Sequence, residues 1–123
     1  MRLQESGEMY LETIYRLSLS SGTVRSVDIS EAMGYSKPSV SRAVGLLKNA
    51  GYILMDKDNF ITLTPSGLET AEKIYSRHTV LMEMLTRLGV SEQTAAEDAC
   101  RMEHAISDET FLAIHRHMEQ YGQ

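Results

Sequence analysis

The apolar residues of this chain change period twice, and that change limits the folds open to it. Up to about Ala50 they recur at helical spacing. From Tyr52 to Leu63 they form two short β-rich runs, and from Pro65 onward helical spacing returns. Between Leu3 and Leu19, the residues Met9, Leu11, Ile14, Tyr15 and Leu17 fall at helical intervals, and Ser20-Ser21-Gly22 ends the segment. A short helix should follow, with Val27, Ile29, Ala32 and Met33 facing inward. Gly34 closes it, because glycine readily takes the left-handed conformation of a helix C-cap. Ser36 is the expected N-cap of the next helix, with Pro38 in its first turn. Val40, Val44 and Leu47 share one face of that helix, and Gly51 ends it.

The runs Tyr52–Met55 and Phe60–Leu63 flank Asp56-Lys57-Asp58-Asn59 and read as a hairpin. Thr64 should cap a long helix that begins at Pro65 and continues to about Leu88, where Gly89 stops it. Ser91 should cap a helix to about Ala105, and Asp108 a last one to about Gln120. The expected fold class is mainly α, a winged helix-turn-helix over residues 1–70 followed by a helical half over 71–123.

Composition permits this without covalent staples. The chain has 123 residues, 42% hydrophobic and 24% charged, close to ordinary globular values. Cys100 is the single cysteine, so no internal disulfide forms. No apolar run approaches the roughly 18 residues that span a bilayer. The opening segment MRLQESGEMYLETIYRL lacks an apolar signal core. A cytoplasmic protein without membrane contact is therefore expected. The formal net charge is −5, which does not advertise a nucleic-acid partner. The charge is uneven, however. Residues 1–70 hold seven basic and eight acidic side chains, and residues 71–123 hold five and nine. Between Ser36 and Gly51 stand Lys37, Arg42 and Lys48 with no acid. The acidic second half repels DNA and attracts cations.

Two short helices joined by a glycine turn make a helix-turn-helix, and the hairpin after them supplies a wing. The second helix of such a motif enters the major groove of double-stranded DNA N-terminus first. Its opening turns offer Ser36, Lys37, Pro38, Ser39, Ser41 and Arg42, small hydroxyl donors plus two cations suited to phosphates and base edges. Lys57 at the wing tip is placed to reach a phosphate. Lys48 reads as a solvated surface residue.

A second constellation lies at Cys100, Glu103 and His104. On a helix, positions i, i+3 and i+4 share one face. Thiolate, carboxylate and imidazole together suit a transition metal. One helix cannot close such a coordination sphere, so further ligands must come from elsewhere. His78 on the long helix is one candidate; Met9 and Glu12, three apart on the first helix, are others. The same residues also fit a plainer reading, with Cys100 a small buried hydrophobe, Glu103 and His104 a surface pair, and Met9 core. His115 and His117, two apart, point to opposite sides of their helix and read as surface.

Four segments carry a resemblance to a known family. They are Glu8-Met9-Tyr10-Leu11-Glu12-Thr13-Ile14-Tyr15, Ser36-Lys37-Pro38-Ser39-Val40-Ser41, Leu63-Thr64-Pro65-Ser66-Gly67, and Asp98-Ala99-Cys100-Arg101-Met102-Glu103-His104 followed by Ile106-Ser107-Asp108-Glu109. Over nearly its whole length the chain resembles the diphtheria toxin repressor and manganese transport regulator family of metal-dependent repressors. The resemblance implies a homodimer that binds a palindromic operator when metal is present. It places Met9, Cys100, Glu103 and His104 in a primary, activating metal site. Members with Met and Cys at these two positions resemble the iron-responsive branch, whereas manganese-responsive members carry carboxylates there. Thioether and thiolate are softer than carboxylate and select against Mn²⁺. Fe²⁺ is thus the expected ion, although Co²⁺, Ni²⁺ and Zn²⁺ would also bind such donors.

The chain departs from the iron-type pattern elsewhere. Iron-type members build a second site from a His and a Glu four residues apart on the long helix and a His just before the Cys motif. Here His78 is present, but Met82 and Ala96 stand at the other two positions. Many iron-type members also continue into a C-terminal SH3-like domain, and this chain is expected to be a short form without it. Glu12 resembles the manganese branch, so His78 with Glu12 and Glu103 forms the expected second site. The apolar residues Leu81, Leu85, Leu88, Phe111, Leu112, Ile114 and Met118 offer a dimer face, and the plainer reading makes some of them intramolecular core. The alternative is a winged-helix regulator that senses a small ligand or redox state through Cys100. An enzyme is not expected, because no nucleophile and base set accompanies the Cys-x-x-Glu-His run.

Overall fold

The computed structural model describes residues 5–121. Its elements run α1 (Glu5–Ser21), α2 (Ser26–Met33), α3 (Lys37–Asn49), β1 (Ile53–Met55), β2 (Ile61–Leu63), α4 (Pro65–Arg87), α5 (Glu92–Ala105) and α6 (Asp108–Tyr121). Leu3, where the first helix was expected to start, lies outside the described residues. The chain divides into two compact units, Met1–Glu72 and Lys73–Gln123, with the division inside α4.

In the first unit, α1 packs on α2, α3 and β2, and α3 packs on α2 and β1. Leu11, Ile14, Ile29, Val40 and Ile53 lie at the centre of this core, each at most 1% exposed. Each leucine or isoleucine buried in this way contributes about 1.5–3 kcal/mol. The helix-turn-helix forms as its local signals require. Gly34 takes φ 71° and donates its N–H to Ser30 O, ending α2. Ser36 then accepts from Ser39 N at 3.3 Å and starts α3. The expected inner face of α2 needs correction. Ile29 is buried, but Val27 and Ala32 are exposed. An eight-residue helix has barely two turns with which to define a face. Val24, just ahead of it, takes the inner place, and its carbonyl accepts from Ile61 N at 2.7 Å.

The hairpin is shorter than its apolar runs suggest. Ile53 pairs with Leu63, Leu54 with Thr62 and Met55 with Ile61, antiparallel. Tyr52 and Phe60 fall outside the strands because their backbones are used otherwise. Tyr52 N donates back to Leu47 O at 3.0 Å, at the end of α3, and Phe60 N donates to Asp56 Oδ1 at 3.0 Å. Thr64 caps α4 as expected, accepting from Gly67 N at 3.0 Å while its hydroxyl donates to Gly51 O at 2.7 Å. Gly67 is required by space. A Cβ there would lie 1.9 Å from Tyr52 O.

In the second unit, Ile74, Leu81, Ala95, Ala99 and Phe111 are buried. Gly89, at φ 102°, follows the end of α4, and Ser91 caps α5 by accepting from Thr94 N at 3.3 Å. The cap of α6 is Ser107, not Asp108: Ser107 Oγ accepts from Thr110 N at 3.1 Å. The expected dimer face also divides. Leu81 and Phe111 are spent on the unit's own core, whereas Leu88 and Leu112 are 74% and 51% exposed. No described helix is long and apolar enough to cross a membrane.

Candidate metal centre and nucleic-acid interface

Helix α3 buries Val40, Val44 and Leu47 and therefore turns its polar side outward. Lys37, Pro38, Ser41 and Arg42 are exposed there, as is Lys48, and Ser39 is half-buried. Ser36 is exposed too, but its hydroxyl is committed to the cap and donates to Ser39 Oγ at 2.9 Å. Lys57 is exposed on the turn between β1 and β2. Asp56 Oδ1 holds this turn by accepting from Asp58 N at 2.9 Å and Phe60 N at 3.0 Å, with Asn59 at φ 65°. Arg25 lies over the Phe60 ring, 4.2 Å from its centroid, and packs the base of the wing.

This face also carries apolar residues that the sequence reading passed over. Leu46 is 71% exposed and Tyr35 44%. With Tyr10, Arg42 and Ala43 they line an open groove of about 620 Å³. Tyr10 and Tyr35 rings meet at 5.9 Å between centroids. Burial of the Tyr10 hydroxyl, reinforced by Tyr35 and opposed by Arg42, raises its pKa above the usual tyrosine value. Leu46 was detectable as an apolar residue off the Val40, Val44, Leu47 stripe.

In the second unit, α5 brings Cys100, Glu103 and His104 together. Their donor atoms all lie within 4.8 Å of one another. The Glu103 side chain is fully buried, and that of His104 is 1% exposed. Burying a carboxylate beside an imidazole is costly unless something balances the charge. Glu103 Oε1 lies 3.2 Å from His104 Nε2. Two such acceptor atoms sit comfortably at that distance only with a proton or a cation shared between them. A sulfur, a carboxylate oxygen and an imidazole nitrogen at this spacing form a donor set that fits a divalent transition metal.

Helix α4 adds His78. Its Nδ1 lies 3.0 Å from Glu103 Oε2, and its side chain is 12% exposed. Met9 and Glu12 stand on α1 in the first unit, Met9 half-buried and Glu12 buried. Glu12 accepts from Arg16 at 2.7 Å, one helical turn away. His117 is exposed beside Tyr121, and His115 stacks on Phe111 and pairs with Glu119 at 3.3 Å.

Arg77, next to His78, was not singled out from sequence. It is 9% exposed. Its guanidinium donates to Glu103 O and Ile106 O, each at 3.2 Å, and to the Asp108 carboxylate. It also lies 5.2 Å from the Phe111 ring centroid. Glu103 O lies in the last turn of α5, where backbone acceptors lack helical partners, and Ile106 O follows just beyond the helix.

A helix-turn-helix with a wing, followed by a helical unit with a thiolate, carboxylate and imidazole cluster, defines a class of regulators, and comparison with known proteins agrees. Residues 2–59 match the N-terminal DNA-binding domain of iron-dependent repressors, and residues 64–122 match their metal-binding and dimerisation domain. The chain belongs to the iron-dependent repressor family. The transcriptional regulator MntR of Salmonella typhimurium is 35% identical over 113 residues, covering 92% of this chain and 72% of that protein. An HTH-type transcriptional regulator of Methanocaldococcus jannaschii is 31% identical over 121 residues, covering 97% of each. The solved structure of the manganese regulator SloR superposes with a TM-score of 0.81 at 28% identity, covering 97% of this chain and 55% of that one.

Proposed function

We propose that this chain is a metal-activated transcriptional repressor, a homodimer that binds a palindromic operator in double-stranded DNA and controls metal homeostasis genes. The observation that carries the reading is the gathering of Cys100, Glu103 and His104 donor atoms within 4.8 Å of one another. Family membership supports the DNA-binding and dimerisation halves, which we assign to residues 1–70 and 71–123.

In the primary site Cys100, Glu103 and His104 hold the ion, with Met9 as a further ligand by the family resemblance. His78 and Glu12, with Glu103, are proposed for a second ion. A bound ion supplies positive charge and a cross-link among its ligands. Fe²⁺ is the preferred ion on donor chemistry, since the Cys100 thiolate and Met9 thioether are poor partners for Mn²⁺. Two facts pull the other way: the Salmonella relative bears the name MntR, and SloR is described as a manganese regulator. Co²⁺, Ni²⁺ and Zn²⁺ are further candidates.

On DNA, Lys37, Arg42 and Lys57 meet phosphates or base edges, and Ser36, Pro38, Ser39 and Ser41 line the approach. Ligation requires an ionised Cys100 and a neutral His104, so metal binding releases protons and weakens as pH falls. Activation requires that metal favour the DNA-competent state, since equal affinity for both states switches nothing.

The test is anaerobic fluorescence anisotropy with the promoter fragment of the protein's own gene. It is run with chelator and then with Fe²⁺, Mn²⁺ and Zn²⁺ in turn. Binding at least tenfold tighter with metal, lost in Cys100→Ala, is the expected result and ranks the metals. Equal binding with chelator overturns metal activation. Sensitivity to peroxide without metal dependence would instead make Cys100 a redox sensor.

A further inference from the structure

Arg77 and His78 are consecutive on α4, and both reach Glu103, by different routes. His78 Nδ1 meets the carboxylate at Oε2, 3.0 Å away. Arg77 ignores the carboxylate and donates to the main-chain oxygen of the same residue at 3.2 Å. It then spans the corner between α5 and α6, donating to Ile106 O at 3.2 Å and to Asp108 at the start of α6. Glu103 is therefore held by its backbone and by its side chain from one turn of α4.

The chemistry of the corner explains why an arginine stands there. The last carbonyls of a helix have no intrahelical donors and carry its negative dipole end. Ile106 leaves the helix in extended conformation, at φ −82° and ψ 153°. Only two residues separate α5 from α6. A planar guanidinium with five donors can serve two carbonyls and a carboxylate at once, whereas an ammonium cannot hold that fork. Lys73, 3.6 Å from Asp108 and 63% exposed, adds charge on the solvent side. Phe111 closes the other side of the guanidinium.

We infer that Arg77 is a positioning residue for the metal centre. It touches no proposed ligand atom, but it fixes the backbone turn from which Glu103 and His104 project. The inference rests on the metal-site reading of Cys100, Glu103 and His104. Groups that orient metal ligands without touching the ion typically alter affinity by about 10–100-fold when removed.

The test uses Co²⁺, whose visible spectrum reports coordination geometry and whose thiolate charge-transfer band reports Cys100. Wild type, Arg77→Met, Arg77→Lys and Asp108→Asn are titrated anaerobically, and the melting temperature of each metal-free protein is taken alongside. Arg77→Met should bind Co²⁺ about 10–100-fold more weakly, with an altered ligand-field spectrum in the folded protein. Arg77→Lys should restore part of the affinity. Asp108→Asn, whose altered side chain is 67% exposed, keeps the fold safe and should show a smaller loss in the same direction. A purely structural Arg77 would lower the melting temperature and leave the affinity and spectrum of the folded protein unchanged in all three variants, which overturns the inference. If wild type shows no thiolate band, or one that survives Cys100→Ser, the metal-site reading falls and the positioning role falls with it.

Discussion

His78 Nδ1 lies 3.0 Å from Glu103 Oε2, so an imidazole on α4 and a carboxylate on α5 share a hydrogen bond when Nδ1 carries the proton. In that tautomer Nε2 keeps its lone pair and can bind a cation, while Glu103 orients the ring. His78→Ala should therefore lower the number of bound metal ions per chain by one, with the Cys100 thiolate band intact. Equilibrium dialysis with elemental analysis counts them. An unchanged stoichiometry removes His78 from any second site.

The proposed DNA face offers cations for two distinct tasks, positioning on phosphates and reading base edges. Lys37 and Arg42 are both exposed on α3. Lys37→Ala should weaken binding to all sequences alike and reduce the slope of log affinity against log salt by about one. Arg42→Ala should cost about 1–3 kcal/mol on the operator and much less on random DNA, if it contacts a base edge. Anisotropy titrations at several salt concentrations separate the two behaviours. Equal losses on both DNAs would make Arg42 a phosphate contact.

Gly67 admits no side chain, since a Cβ would lie 1.9 Å from the carbonyl oxygen of Tyr52. A backbone atom cannot swing aside as a flexible side chain can. Gly67→Ala should destabilise the first unit by about 1–3 kcal/mol or more, read by urea unfolding. A change under 0.5 kcal/mol would show that the start of α4 shifts freely.

Tyr10 makes a contribution to stability that varies with pH in the alkaline range. Its folded pKa lies above the usual 10.0, chiefly because burial disfavours the phenolate. The folded state therefore holds the proton more tightly than the unfolded chain does. That contribution is fully present below pH 10 and is lost as pH rises through the folded value. Tyr10→Phe keeps the ring against Tyr35 and should flatten the fall of stability above pH 10. Parallel unfolding curves for the two proteins between pH 9 and 11 would rule this out.

Local signals were readable from sequence, and distant ones were not. Gly34, Ser36, Thr64 and Ser91 punctuate helices through bonds that span three or four residues, and Pro65 through its fixed φ, so the local sequence locates them. The spacing of Cys100, Glu103 and His104 is likewise a property of one helix. Arg77 was invisible because its partners lie 26 to 31 residues away, and two of them are carbonyls that any residue carries. The choice between Ser107 and Asp108 as a cap fails for the same reason. Both are good caps, and the Asp108 carboxylate is engaged by Arg77. Val27 and Ala32 were misplaced because a two-turn helix gives a hydrophobic stripe too few points to define a direction.

The bracket that Asp56 builds around the wing tip has a thermodynamic consequence. Ordering a flexible backbone costs roughly 1–2 kcal/mol per residue. Asp56 Oδ1 already accepts from Asp58 N and Phe60 N, and Asn59 is already in its left-handed conformation. Lys57 therefore rides on a turn that surrendered its freedom when the protein folded. In the proposed DNA complex little of that loss would remain to be met at the moment of encounter, so the attraction of the Lys57 charge for a phosphate would be retained as affinity.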